Sequence, residues 1–449
     1  MDYKEYFEVL KNKKITVAGA GISNTPLIKM LVKFGAIVTV CDGNKTEDEL
    51  EKQFEGLPLT YKTGEKWLDD IDADIIFRSP GIRPDLEGFN KAVEKGAHLT
   101  SEMEVFFDLC PCDIFAITGS DGKTTTTTLT YNMLKNSGYT VHLGGNIGNP
   151  LLPEIAKIEK DHKVVLELSS FQLFTIKKSA KFSAVTNLSP NHLDWHKDYT
   201  EYIDAKKSIF IYDECEKLVT NLDNKDAVCA SEDAKCKVVY FSREKEADIC
   251  LNNNFITVFG EKVLDINEIL LPGLHNIENY MTAMGIVWGV ATIDGILKTA
   301  KTVKGVEHRI EFVREFEGVK YYNDSIASSP NRTITGLKSF EKKVILIAGG
   351  KDKNIPYDEI GDVVMEKVKK LVLTGATAPK IKEAVLKSQL YHPDFEIIEC
   401  DDFKEAVLSA KRVAEEGDTV ILSPASTSFD RFKNFEERGR VFKDIVNSF

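Results

Sequence analysis

Four absences narrow the possibilities before any motif is read. No apolar run in the 449 residues approaches the ~20 residues that a helix needs to cross a bilayer. The opening stretch, MDYKEYFEVLKNKK, holds neither an apolar signal core nor a cleavage site, so a cytoplasmic protein with no membrane partner is expected. The eight cysteines are scattered, the closest pair is Cys110-Pro-Cys112, and none has C-x-x-C spacing. That excludes a zinc knuckle or a disulfide framework and leaves buried, reduced thiols as the expectation. An excess of basic charge is missing too: 58 Lys and Arg against 70 Asp and Glu give a net charge of −12. No nucleic-acid partner is expected, although a small anion needs only a local basic pocket.

What is present is a chain too long for one ordinary core, which predicts two or three domains. Short β-branched runs alternate with helical patterns almost throughout. KITVAGAG, AIVTVCD, ADIIFRSPG, DIFAITGS, KVVLELSS, SAVTNLSP, KVILIAGG, KLVLTG and DTVILSPAS read as strands. Several end in Gly, Ser or Asp and lead into a helix, the grammar of parallel α/β sheets with ligands beyond the strands' C-terminal ends. Three blocks are expected, 1–100, 101–305 and 306–449. The middle one carries a shorter strand-rich insertion, and KGVEHRIEFV suits a hinge before the last.

GAGISN, Gly19 to Asn24, follows a strand, and Asp42 ends the next. This imitates a dinucleotide fingerprint, but Asn24 stands where the third glycine belongs. A diphosphate-binding turn and a tight βα turn needing glycine only for backbone geometry are equally open. GSDGKT, residues 119–124, is richer. Gly119 and Gly122 can expose consecutive amides, Lys123 can reach phosphates, and Thr124 can ligate Mg²⁺. The strand before it and the helix after it supply the context such a loop requires, although it is two residues shorter than the G-x-x-x-x-G-K-[ST] form. The threonines that follow are poor helix formers that a helix start tolerates. A nucleotide site is the stronger reading of the loop.

Glu167 ends a strand expected beside the phosphate-loop strand; a capping glutamate is the alternative, but beside that loop a carboxylate completing Mg²⁺ coordination gains weight. His192 and His196 stand four apart, but Leu193 occupies the glutamate position of H-E-x-x-H, which argues against a zinc protease. His192, with Asn191 and Asp194, can face phosphates or a second Mg²⁺, whereas a solvent-facing structural role suits His196. Lys206 and Lys207 read from pattern alone as a solvated helix face.

In order along the chain, GSDGKT, GGNIG, ELSSFQL, NLSPNHLD, AKKSIF, LPGLHNIEN, EHR, NDS and SPASTSFDRFKNFEERG together resemble the Mur ligases, across all three blocks. The last motif points to the branch that adds D-glutamate. The resemblance implies an α/β fold of three domains: an N-terminal Rossmann-like domain for UDP, a central P-loop ATPase-like parallel sheet, and a C-terminal Rossmann-like domain for the amino acid. It implies an ATP-dependent amide ligase that joins D-glutamate to UDP-N-acetylmuramoyl-L-alanine in peptidoglycan precursor synthesis, with ATP and two Mg²⁺ sites, acting as a monomer.

Carried over residue by residue, the resemblance puts Ile22, Ser23, Asp42, Ser79, Gly81, Asn146, Ser169 and Gln172 on the UDP substrate. It puts Gly119, Ser120, Asp121, Gly122, Lys123, Thr124, Thr125, Asn279, Arg309 and Asp324 on ATP. Ser328, Lys353, Ser428 and Phe435 would line the D-glutamate pocket. Thr124, Glu167, His192 and Lys206 would hold metal, Lys206 as a carbamate, and Lys123, His192 and Lys206 would be catalytic. Two departures stand out: Ile326 where some members carry lysine, and GGKDKN in place of Gly-Asp-Gly-Lys, which leaves Lys351 as an alternative to Lys353. Three rivals are weighed against this reading. A folylpolyglutamate synthetase-like ligase would share the ATP centre but not UDP. An NAD-dependent oxidoreductase would use Gly19, Gly21 and Asp42, and a nucleotide-binding regulator would lack ligase activity.

Overall fold

A computed structural model describes residues 3–271, 273–303, 305–352 and 355–449. The nine strands expected from the sequence all form, within three sheets. The chain divides into two compact units, Met1–Leu264 with Glu278–Thr299, and Asp265–Ile277 with Ala300–Phe449.

The first unit holds two sheets. The smaller has five parallel strands in the order Leu59–Thr63, Ile37–Asp42, Lys14–Ala18, Ile75–Arg78, His98–Thr100. Strand order reverses between Lys14–Ala18 and Ile75–Arg78, which opens a crevice beyond their C-terminal ends. Gly19 and Ser79 meet there: Gly19 has φ +89°, and a Cβ on it would lie 2.8 Å from that of Ser79. Asn24, in the third glycine's place, is buried and donates its side-chain amide to the Gly19 carbonyl at 2.9 Å. It clamps the turn that a glycine would merely have permitted.

The second sheet has nine strands, with Asp113–Thr118 between Phe182–Val185 and Lys163–Glu167. These three run parallel. Phe115 stacks on Phe182 across two of them with ring centroids 4.6 Å apart, a contact worth about 0.5–1.5 kcal/mol beyond its buried area. The strand-rich insertion extends the sheet through Lys217–Asn221, Lys237–Ser242 and Ile249–Asn252, then turns back in an antiparallel hairpin to Phe255–Val258. Order reverses at Asp113–Thr118, so the loops after 118 and 185 share one crevice. The threonine run opens helix Lys123–Asn136, as expected. Thr128 and Thr130 donate their hydroxyls to the carbonyls of Thr124 and Thr126, each at 2.8 Å, which satisfies groups that would otherwise compete with the helix.

In the second unit six strands run in the order Glu311–Phe316, Val319–Asn323, Thr419–Leu422, Val344–Ala348, Val368–Thr374, Glu396–Cys400. The first two form an antiparallel hairpin and the rest are parallel. Val344, Leu346 and Ala348 pack on one face against helices Ile360–Lys367 and Ala378–Leu386. Ile345 and Ile347 pack on the other, against Phe403–Val413 and Phe435–Asn447. That period of two, buried on both sides, makes KVILIAGG a continuous apolar run.

All eight cysteines are free thiols, but only Cys41 and Cys215 are buried. The expectation of general burial fails: Cys110, Cys112, Cys236, Cys250 and Cys400 are half-buried, and Cys229 is exposed on helix Lys225–Ser231. Among the described residues no helix is long and apolar enough to cross a membrane.

Candidate active site

The loop after Asp113–Thr118 has two positions only glycine can fill. Gly119 has φ +147°, and a Cβ there would run into the Thr186 hydroxyl. Gly122 caps helix Lys123–Asn136 at φ +77°, and its Cβ would meet the Asn279 side chain. The loop is braced by the neighbouring NLSP segment. Ser120 Oγ donates to the Ser189 carbonyl at 3.0 Å, the Asp121 amide donates to Asn187 Oδ1 at 2.9 Å, and Thr186 Oγ1 donates to the Asp121 carbonyl at 2.5 Å. Tyr202, buried, lies 2.8 Å from Ser120 Oγ. Lys123 Nζ folds back over the loop, 2.9 Å from the carbonyls of Gly119 and Ser120. Thr124 and Thr125 follow in the first turn, half-buried. Helix N–H groups and a lysine therefore converge on one small crevice, an arrangement built for an anion.

Glu167 stands one strand away, as expected, and is buried. Its Oε1 accepts from Asn146 Nδ2 at 2.8 Å, while its Oε2 is buried without a hydrogen-bond partner. A buried carboxylate oxygen with no donor is costly unless a cation sits near it, so this pair suits a hard divalent ion such as Mg²⁺. Asn146 is thus placed beside Glu167. The one cluster of three His, Cys, Asp or Glu ligand atoms within 4.8 Å of one another, among the described residues, is Glu159–Asp161–His162, just before strand Lys163–Glu167. Glu167 and His192 belong to no such group among the described residues.

Lys206 is not on a solvated face. It is buried, with Nζ 2.8 Å from the Gly119 carbonyl and 3.0 Å from Thr118 Oγ1. Burial, then the charge of Lys123, push its pKa well below the ordinary lysine value, against the pull of Glu167 and Asp121. His192 is exposed at φ +54°, a left-handed backbone that is strained for a non-glycine residue. Partial burial of its ring and the Lys123 charge lower its pKa, so the neutral form dominates at pH 7. Its ring meets Phe171 edge-on at 4.8 Å. His196 corrects the sequence reading: it is buried, with Nδ1 3.3 Å from Glu201 Oε2 and Nε2 2.9 Å from Ser170 Oγ. The Asp198-capped helix Tyr199–Lys207 brings Glu201 back toward it, which pattern alone does not reveal.

Around the first crevice, Ile22 is exposed and Ser23 half-buried. Asp42 ties its own turn to the glycine turn: Oδ2 accepts from the Ala20 amide at 2.9 Å, and Oδ1 from the Asn44 and Lys45 amides at 2.9 and 3.2 Å. The Ser79 amide donates to the Ala18 carbonyl, and the Gly81 carbonyl accepts from Trp195 Nε1 at 2.9 Å. Ser169 and Gln172 form a capping box for the short helix Ser170–Leu173, so much of their polarity is spent on each other.

Within the second unit Asp324 is buried, accepting from Ser423 Oγ at 2.7 Å and the Ile310 amide at 3.3 Å, and burial raises its pKa to about 7. Arg309 lies in the turn before it. Strand order here reverses between Val344–Ala348 and Thr419–Leu422, and the Gly349 amide donates to the Pro424 carbonyl at 2.8 Å across that point. Ser428 is buried, Ser328 and Phe435 half-buried. Lys353 lies outside the described residues, whereas Lys351 pairs its backbone with Thr427. The sequence reading missed Arg438. Buried, it donates to Ser325 Oγ at 3.0 Å, the Ser325 carbonyl at 2.8 Å and the Ser426 carbonyl at 3.0 Å. It ties the NDS and SPASTS segments together, and only its place in the FEERG run hinted at it.

Comparison with known proteins follows the same geography. The sequence model for the Mur ligase middle domain matches residues 117–287, and that for the Mur ligase glutamate ligase domain matches 308–426. Proteins described as UDP-N-acetylmuramoylalanine--D-glutamate ligase from Ruminiclostridium cellulolyticum and Acetivibrio thermocellus are 51% and 54% identical, each aligned over 99% of this chain and 98% of its own length. Among solved structures, UDP-N-acetylmuramate-alanine ligase from Thermotoga maritima superposes with a TM-score of 0.59 at 18% identity, over 97% of this chain and 99% of that one. A UDP-N-acetylmuramoyl-L-alanyl-D-glutamate--2,6-diaminopimelate ligase gives 0.57 at 17%, over 94% and 88%. Those two likenesses establish the three-sheet fold, and the half-identical relatives extend over the phosphate loop, the buried lysine and the serine-rich C-terminal turn alike: the chain belongs to the Mur ligase family.

Proposed function

We propose that this chain is an ADP-forming amide ligase that adds D-glutamate to UDP-N-acetylmuramoyl-L-alanine, in the cytoplasm, as a step in peptidoglycan precursor synthesis. What carries the reading is full-length identity of about half with ligases of that name, joined to a phosphate loop whose residues keep their chemistry. Residues 1–100 would hold UDP, 101–305 ATP and 306–449 the amino acid, in a monomer.

A carboxylate does not acylate an amine at neutral pH, because oxide is too poor a leaving group. Transfer of the ATP γ-phosphoryl to the alanine carboxylate gives an acyl phosphate. Attack by the D-glutamate amine then forms the amide and expels phosphate. In this scheme Lys123 and the loop amides of residues 119–125 spread charge on the transferring group. Neutral His192, at the rim, donates a hydrogen bond to the acyl oxygen as charge develops there. Asn279, whose side chain lies against Gly122, would serve the nucleotide. Arg309 and Asp324 would serve the nucleotide, and Ser328, Lys353, Ser428 and Phe435 the D-glutamate. Ile22, Ser23, Ser79 and Gly81, with Asp42 bracing their turn, would serve UDP, while Ser169, Gln172 and Asn146 would serve the sugar and alanine end. Thr124, Glu167 and His192 would hold Mg²⁺, which supplies Lewis-acid neutralisation of phosphate charge when bound.

Lys206 is proposed to be carbamylated. Addition of CO₂ to its neutral amine gives an anionic oxygen donor where a buried ammonium would repel a cation, and its lowered pKa supplies the neutral amine. Intact-protein mass spectrometry in bicarbonate buffer should show the added mass of CO₂, absent from Lys206→Ala. An unmodified amine in the active enzyme rejects the assignment. The function itself is tested by phosphate release with ATP, Mg²⁺ and UDP-N-acetylmuramoyl-L-alanine. Release should depend on D-glutamate; ATP hydrolysis indifferent to both substrates would support a regulatory nucleotide-binding protein instead.

A further inference from the structure

A line of polar contacts in the first unit joins the turn after strand Ile75–Arg78 to the short helix Ser170–Leu173. Trp195 Nε1 donates to the Gly81 carbonyl at 2.9 Å. Two residues on, Arg83 forks onto Glu201 at 3.0 and 3.1 Å, donates to the Trp195 carbonyl at 2.7 Å and lies over the Trp195 ring at 4.8 Å. Glu201 passes the contact to buried His196 at 3.3 Å, and His196 to buried Ser170 at 2.9 Å. The Arg83–Glu201 pair is mostly buried and holds the Glu201 carboxyl at a pKa of about 2. None of Arg83, Glu201 and His196 has a part in the chemistry described above.

We propose that Arg83, Glu201 and His196 are positioning residues that keep the two ends of the nucleotide-sugar site in register. One end is the Ser79–Gly81 turn for UDP; the other is the Ser169–Gln172 turn for the sugar. The proposal rests on the functional reading above. A two-pronged guanidinium–carboxylate contact fixes direction as well as distance. A substrate held at both ends gains from the second contact only while the spacing between the two sites is kept. Loosening the line therefore weakens the whole substrate and spares a fragment that touches one end.

The test is binding to the full chain by calorimetry, with UDP and with UDP-N-acetylmuramoyl-L-alanine as separate probes. Arg83→Lys keeps the charge and loses the fork. It should raise the Kd of the whole substrate about tenfold, equivalent to about 1.4 kcal/mol, with UDP alone within about twofold of the parent. His196→Ala should do the same, and His196→Gln, which retains a hydrogen-bonding group toward Ser170, should recover part of the loss. Equal weakening of both probes would mean that the variants merely damage the UDP turn, and no weakening of either would mean the line positions nothing; both overturn the proposal. A parent chain that binds neither probe would instead sink the functional reading, and the proposal with it.

Discussion

Lys123→Ala is expected to cut ligation by about 10³-fold or more, a loss of about 4 kcal/mol of transition-state stabilisation, while UDP-substrate binding persists. Lys123 opens helix Lys123–Asn136, and its ammonium lies over the loop carbonyls of Gly119 and Ser120. Alanine is the best helix former, so the substitution removes charge without unsettling the helix start. The amides of the loop and the helix dipole remain and keep some affinity for the phosphates. What disappears is the loop's ammonium, which can follow charge onto the transferring group. Lys206 and His192 both sense that cation through their lowered pKa values, so its loss also makes each more basic. Arginine should not rescue, because a planar fork cannot take the place of a point charge in so tight a turn. Phosphate release and calorimetric binding, measured on the same preparation, separate the two effects; turnover within tenfold of the parent would unseat the phosphate-loop assignment.

The site's glycines were legible because their reason is local. Gly19, Gly119 and Gly122 lie at strand-to-helix turns with positive φ, and a Cβ at each would strike a named neighbour. The parallel strands were legible for a similar reason, since burial on both faces leaves an uninterrupted apolar run, as in Val344–Ala348. Strand order was legible only for the Glu167 strand beside the phosphate loop, yet it matters most for function. Each of the three sheets reverses order at a strand whose following loop carries predicted site residues: after Ala18, after Thr118 and after Ala348. Only tertiary pairing creates those crevices. Buried charge was the least legible feature of all. Lys206 sits in a lysine pair, and Arg438, His196 and half-buried Arg83 sit in charged or mixed stretches that any solvated surface could show. Each becomes distinctive only through partners far away along the chain, such as Thr118 for Lys206 and Ser325 for Arg438. The motif resemblance supplied Lys206 where pattern alone named a solvated face. Arg438 was hinted at only by its place in the FEERG run, and nothing supplied Arg83.

Glu167→Gln is expected to lower turnover by about 10²–10³-fold at fixed Mg²⁺ and to move half-maximal activation to higher Mg²⁺. The parent carboxylate divides its labour: Oε1 takes the Asn146 side-chain amide at 2.8 Å, and Oε2 faces no donor although it is buried. Glutamine can still accept from Asn146 through its carbonyl oxygen. Its NH₂ then occupies the place of the bare oxygen and turns an attractive position toward a cation into a repulsive one. The backbone contact from the Asn146 amide to the Glu167 carbonyl, 2.7 Å, is untouched, so the loop keeps its course. Binding of Mn²⁺ as a paramagnetic stand-in, followed without turnover, should weaken in parallel with activity. Asn146→Ala offers the contrast. It leaves the carboxylate in place and removes only its orienting partner, a change of the kind that costs 10–100-fold in affinity or activity. Glu167→Gln should therefore be the more damaging of the two. The reverse ranking, with Mn²⁺ affinity intact in Glu167→Gln, would make Glu167 a brace for the Gly145–Asn146 turn and move the metal elsewhere in the crevice.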